Sequence, residues 1–217
     1  MEVIFRPELS EAIVVQWGII LLVLIASILL TRNLKKVPSK KQSSLEILIE
    51  FINNIVEETM GPGTKSFVPY IGTLGIFLLL MNLAGLVGVE PPTKEFSVGL
   101  ALAAITFLVI QGYAIKKHGI KGYFKGYAQP LPLLLPINIL ERIMLPISLS
   151  LRLFGNILAG VIILELVYEG LHEHLFGLTQ IGLPIPVHMY FDIFDGTIQM
   201  IIFVMLTMIN IKVVAEH

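Results

Sequence analysis

Arg152 stands deep inside an apolar run, with Ser148-Leu-Ser150-Leu before it and Leu153-Phe154-Gly155-Asn156 after it. An arginine near the centre of a bilayer is costly and stays protonated there. No carboxylate lies in the same helical turn, so Arg152 must meet water, a carboxylate on another helix or a partner protein. A static ion pair that fixes helix packing is the competing use. Ser148 and Asn156 sit one i,i+4 step either side of it and share its face. Ala159 and Gly160 extend that face with very small side chains, which permit close approach of a facing helix. A central positive charge on so smooth a surface is suited to another helix sliding past.

A second apolar segment near the C-terminus carries the complement. With about 100° per residue counted from Gln199, His188 falls at about −20°, Asp192 at about +20°, Asp195 at about −40° and Asn210 at about +20°. All five polar groups share one stripe, and it contains both aspartates of the chain. Such a stripe lines an aqueous path or holds helices together. Two carboxylates and an imidazole are more than adhesion needs, so the residue types favour an ion path.

The elements that position these groups follow from composition. The chain has 217 residues, 55% hydrophobic and 14% charged, and a mean hydropathy of +0.85. Soluble domains carry about a quarter charged residues. A chain this size cannot hide so much apolar surface in one core, so lipid must cover much of it. The fold expected is an all-α integral membrane protein forming a single membrane domain, 1–217. It comprises five transmembrane helices plus an amphipathic surface helix.

Three spans read as 13–30, 67–89 and 98–115. Two longer apolar segments follow, 136–171 and 184–215. At about 1.5 Å per residue these are roughly 54 and 48 Å long against a hydrocarbon core of about 30 Å. Both are therefore expected to be strongly tilted, with Pro146 a plausible kink in the first. Residues 1–130 hold spans one to three and the surface helix, and 131–217 hold the pair of long helices. The surface helix spans 45–60. Leu45, Leu48, Ile49, Ile52, Ile55 and Val56 take one face and glutamates and asparagines the other. Ser43 with Glu46 resembles a capping box, and Gly61-Pro62-Gly63 is the stop signal. This helix packs on its own protein or docks a partner subunit; the pattern fits both.

Basic residues orient the spans. Arg32, Lys35, Lys36, Lys40 and Lys41 follow the first span, and Lys116, Lys117, Lys121 and Lys125 follow the third. The other two loops carry mainly glutamates and histidines. Five spans then place the N-terminus outside and the C-terminus in the cytoplasm. Glu2, Glu8 and Glu11 precede the first apolar run, where a secretory signal needs a basic region.

Several chemistries are disfavoured. There is no Cys, so no disulfide, thiolate ligand or cysteine nucleophile. His172-Glu173-His174 lacks the i,i+4 spacing of a helical zinc site, and no metal or other cofactor is expected. No phosphate-binding glycine loop with Lys is present, so nucleotide chemistry must lie in other subunits. Nothing indicates nucleic acid as a partner. A stand-alone transporter would explain the polar stripe, and a passive scaffold would leave it unexplained.

The run Ser148-Leu-Ser-Leu-Arg152-Leu-Phe-Gly-Asn156-Ile-Leu-Ala-Gly160 resembles the signature of the subunit a family of F-type ATP synthases. Gly196-Thr-Ile-Gln199 through Phe203-Val-Met-Leu-Thr207 resembles its second signature. Leu131-Pro132 through Pro136-Ile-Asn138, Pro69 through Asn82-Leu-Ala-Gly85, and Glu90-Pro-Pro-Thr93 are similar too, so the likeness covers nearly the whole chain. It implies a non-catalytic stator subunit of a bacterial cell-membrane FoF1 complex, beside a ring of c subunits and the peripheral-stalk b subunits. Two half-channels would carry H⁺ or Na⁺ to and from the ring carboxylates.

By this resemblance Arg152 takes the essential arginine position, with Asn156 and Gln199 beside it. Asp192 belongs to the external half-channel, and Glu141 takes an acidic position near the start of the arginine helix. Ser148, Ala159 and Gly160 would face the rotor. Many members carry Glu where this chain has Val161. Glu165 is the nearest carboxylate, but it is rotated about 220° from Arg152 on an ideal helix. The relay is therefore assigned first to Asp192 and Asp195, with His188 near the mouth.

Overall fold

The computed structural model describes residues 11–32, 34–126, 133, 135–174, 186–187 and 189–216. The described residues are helical with no strand. Five helical stretches are long and apolar enough to cross a membrane: Glu11–Thr31, Lys65–Val87, Phe96–Phe124, Leu135–Gly170 and Met189–Val214. With lipid as solvent, every backbone polar group must bond within its own segment, which leaves helices as the solution for such runs. The chain is thus a multi-pass, all-α membrane protein.

Helix α1 (Glu11–Thr31) is apolar all round and buries only Ala12, so its surface is left to lipid. Helix α2 (Lys40–Met60) starts earlier than the Ser43 box predicts. Ser39 is its N-cap and accepts from Gln42 N. Gln42 then bonds Lys35 N and O and Glu46 Oε1, tying the preceding loop to the first turn. Gly61, at φ 92°, ends the helix in a conformation that suits glycine.

Only the C-terminal half of α2 packs inward. Val56 and Met60 join Phe67, Ile71, Ile110, Ala114, Met208 and Ile211 in one core. Ile47, Leu48, Ile49 and Phe51 stay exposed. The expected division into one apolar and one polar face therefore holds only for the second half.

Helix α3 (Val68–Asn82) is extended by a 3-10 turn, Leu83–Val87, and a second such turn, Pro92–Lys94, precedes helix α4 (Phe96–Gly126). Gly119 breaks the helical geometry of α4 at φ 70°. Helix α5 (Leu135–His174) runs through Pro146 as one element of 40 residues, about 60 Å long, and must tilt to fit the membrane. The last span opens with a π-helical stretch, Met189–Asp195, and continues as helix α6 (Gly196–Glu216).

A second core joins α3 (Leu74, Leu78, Met81), α4 (Val98, Ala103), α5 (Leu149, Leu153) and α6 (Phe203). Helix α6 is central, touching α2, α3, α4 and α5. Glycines allow the closest approaches. A Cβ at Gly99 would lie 3.3 Å from the Ser150 carbonyl oxygen, and one at Gly75 would lie 3.7 Å from Met200. The other side of α5 has no described helix against it: Leu151, Ile162 and Leu166 are exposed there.

Candidate functional site

A cavity of about 300 Å³ opens between α5, the π-helical stretch and the turns that follow α3. Asn156, Gly160, Val161, Leu164, Glu165 and Tyr168 of α5 form one wall, and Phe191, Asp192 and Asp195 another. Glu90 and Lys94, paired at 3.1 Å, stand at its edge. The lining thus holds four carboxylates (Glu90, Glu165, Asp192 and Asp195) against one ammonium, which makes it attractive to cations.

Asp192 and Asp195 enter the cavity together, although the ideal-helix angles predicted from Gln199 do not apply to them. A π-helix bonds i to i+5 and so turns less per residue than an α-helix. Nothing in the composition of Met189–Asp195 announced this. Such stretches occur often at functional sites. Asp192 lies close against Gly85, where an added Cβ would come within 2.9 Å of its carboxyl group.

Glu165 lines the same cavity, contrary to the expectation drawn from its rotation of about 220° from Arg152. The α5 residues on the wall follow two i,i+4 rows, 156-160-164-168 and 157-161-165. These rows wind obliquely around the axis, each step advancing about 40°. A cavity that follows such a row stays on one wall while its azimuth drifts. Arg152 is the next position along the first row, one step before Asn156.

Arg152 is half-buried and makes no hydrogen bond or ion pair with any described residue. The static ion pair considered from sequence is therefore not formed with a described side chain. Asn156 Nδ2 donates to Gln199 Oε1 at 2.7 Å, linking α5 to α6 one turn from the arginine. Gln199 is fully buried, and its Nε2 has no partner among the described residues. Asn210 bonds its own helix through Leu206 O and does not line the cavity.

Ser148 and Ala159 lie exposed on the open side of α5. Gly160 does not. It is buried, and a Cβ there would meet the Phe191 ring at 3.1 Å. Its small size serves packing of the π-helical stretch within this chain, which corrects its expected place on the outer face. Glu141 is exposed one end of α5 away, on the opposite side of Arg152 from the cavity. His188 and the side chains of His172, Glu173 and His174 lie outside the described residues. Among the described residues, no three His, Asp or Glu side chains gather closely enough to hold a metal ion.

Asn82 and Thr93 were singled out only as part of the resemblance. Both are buried, and only Asn82 lines the cavity: Thr93 Oγ1 donates to Asn82 Oδ1 at 3.1 Å, and Asn82 Nδ2 donates to Gly196 O at 2.9 Å. A buried amide within an apolar span was the available signal.

The family described as ATP synthase A chain matches residues 13–212. The chain belongs to that family. It is similar to the ATP synthase subunit a of Moorella thermoacetica, 36% identical over 91% of this chain and 87% of the relative. The subunit a of Geotalea daltonii is 38% identical over 94% and 86%. That of Propionigenium modestum, named as sodium ion specific, is 31% identical over 96% and 75%. As a member of the ATP synthase A chain family, this protein is a membrane subunit of an FoF1 complex.

Proposed function

We propose that this chain is the stator ion channel of a rotary ATP synthase, passing H⁺ or Na⁺ through two half-channels to and from carboxylates on a ring of c subunits. The observation that carries this reading is Arg152. A permanent cation without a counter-ion among the described residues sits on the exposed side of α5, one i,i+4 step from an acid-lined cavity. In the membrane such a charge calls for a partner outside the chain.

The mechanism follows from electrostatics. A ring carboxylate arriving opposite Arg152 meets a fixed positive charge, which favours its ionised form and so releases its ion. Arginine does this without losing its own proton, as a lysine in that place could. The same charge repels a cation trying to cross directly between the half-channels. Asn156 and Gln199 brace the arginine's flank by bonding α5 to α6.

The cavity with Asp192, Asp195 and Glu165 is the half-channel on one side, His188 its outer relay. Glu141, about 16 Å from Arg152 along the helix, belongs to the other. Ser148 and Ala159 give the ring a smooth surface. The basic loops 32–41 and 116–125 support a topology with the N-terminus outside and the cavity on the outer side of a bacterial cell membrane. Peripheral-stalk b subunits complete the stator.

The test is ATP-driven ion pumping in vesicles holding the whole complex. Arg152→Ala should abolish pumping while the soluble head still hydrolyses ATP, and Arg152→Lys should retain little. Normal pumping by fully assembled Arg152→Ala complexes would overturn the mechanism.

A further inference from the structure

The π-helical stretch that carries Asp192 and Asp195 is held at its C-terminal end by two side chains, Asn82, which lines the cavity, and Thr93, which bonds Asn82 from outside the lining. Asn82, 1% exposed, ends α3, and Thr93, 0% exposed, sits in the turn Pro92–Lys94. Gly196, whose carbonyl Asn82 bonds, is the first residue of α6 and directly follows the π-helical stretch. The junction is tight: a Cβ at Gly196 would lie 3.1 Å from Asn82 Cβ.

The direction of these bonds is fixed by chemistry. A backbone carbonyl only accepts, so the Asn82 NH₂ must face Gly196. Its Oδ1 then faces Thr93, whose hydroxyl must donate. Both groups are buried, so losing the Thr93 donor leaves Oδ1 unpaired and frees the amide to turn. The turn bearing Thr93 touches α1, α3, α4 and α5, which makes it a rigid anchor for the chain of bonds.

We infer that Thr93 and Asn82 are positioning residues, a clamp that sets where α6 begins and thereby where Asp192 and Asp195 stand in the cavity. The inference rests on the cavity being an ion path. The experiment is ATP synthesis per assembled complex in vesicles, measured against ion concentration on the cavity side, by pH or by Na⁺. Wild type, Thr93→Val, Thr93→Ser and Arg152→Ala are compared.

Thr93→Val keeps the shape and removes the donor. It should shift the half-saturating ion concentration by about threefold or more, the scale of one interhelical hydrogen bond. Thr93→Ser, which keeps the donor, should restore the wild-type value. If Thr93→Val does not assemble, the smaller Thr93→Ala supplies the same comparison. A wild-type profile in the assembled valine or alanine variant, with only the yield reduced, would overturn the clamp. So would a serine variant that shifts as far as valine. Arg152→Ala separates the two readings: if it still couples, the ion-path reading fails. If it is inactive while Thr93→Val is unshifted, only the clamp fails.

Discussion

Glu165 and Asp192 reach one cavity from different helices, and each does so by a route that a helical wheel misses. Glu165 arrives along an oblique i,i+4 row of a tilted helix, Asp192 through the slower rotation of a π-helical stretch. They also differ in surroundings. Asp192 is half-buried and pressed against Gly85, whereas Glu165 is exposed. A relay group shielded by the protein has no substitute, while water can stand in for one that is exposed. Asp192→Asn should therefore cut passive ion flux through the membrane sector by at least about tenfold, within the range of a lost proton-transfer group. Glu165→Gln should cut it less. Wild-type flux in Asp192→Asn would remove that residue from the path. The residue types were readable in advance; their meeting was not, because it depends on two helices' relative rotation.

Local chemistry set most element boundaries, with instructive misses. Glycine at 61 ended α2 as expected, but Ser39 and not Ser43 began it. The capping pattern Ser39-x-x-Gln42 is as good as Ser43-x-x-Glu46, and the loop bonds made by Gln42 favour the earlier one. Ser39→Ala should cost about 0.5–2 kcal/mol locally, seen as faster hydrogen exchange in the first turn of α2 with later turns unchanged. Gly119 breaks α4 inside a basic, polar stretch where no apolar pattern marked it. Gly160→Val tests packing at the element scale. Its added carbons would be driven into Phe191, and overpacking of this kind costs about 1–3 kcal/mol. The variant complex should therefore have a lowered thermal midpoint.

At the scale of the molecule, α2, α3, α4 and α5 pack against α6, which still leaves Ile201 and Ile209 exposed, and one side of α5 meets no described helix. Helix α1 lies outside this group, burying almost nothing. Because the chain has no cysteine, single cysteines report cleanly on this arrangement. Leu22→Cys on α1 should carry a label quenched by nitroxide lipids, and Ala103→Cys, fully buried in the core, should not react. A cysteine at Lys36 should react with an impermeant thiol reagent only from the cytoplasmic side. Reaction from the outside would reverse the proposed orientation and move the cavity to the inner half-channel.

The number of spans, the unusual length of α5 and the lack of a carboxylate in Arg152's own helical turn were determined by the sequence alone. They depend on composition along one segment: apolar length against membrane thickness, and a charge with no local partner. The resemblance in the arginine and glutamine signatures carried the family. Only the tertiary structure decided which carboxylates share a cavity, that Gly160 packs inward, and that Asn82 and Thr93 hold the start of α6. Those facts arise between segments far apart in the chain, where the tilt of α5 and the π-helical turn set the azimuth of each side chain. No periodicity within a single segment encodes either quantity.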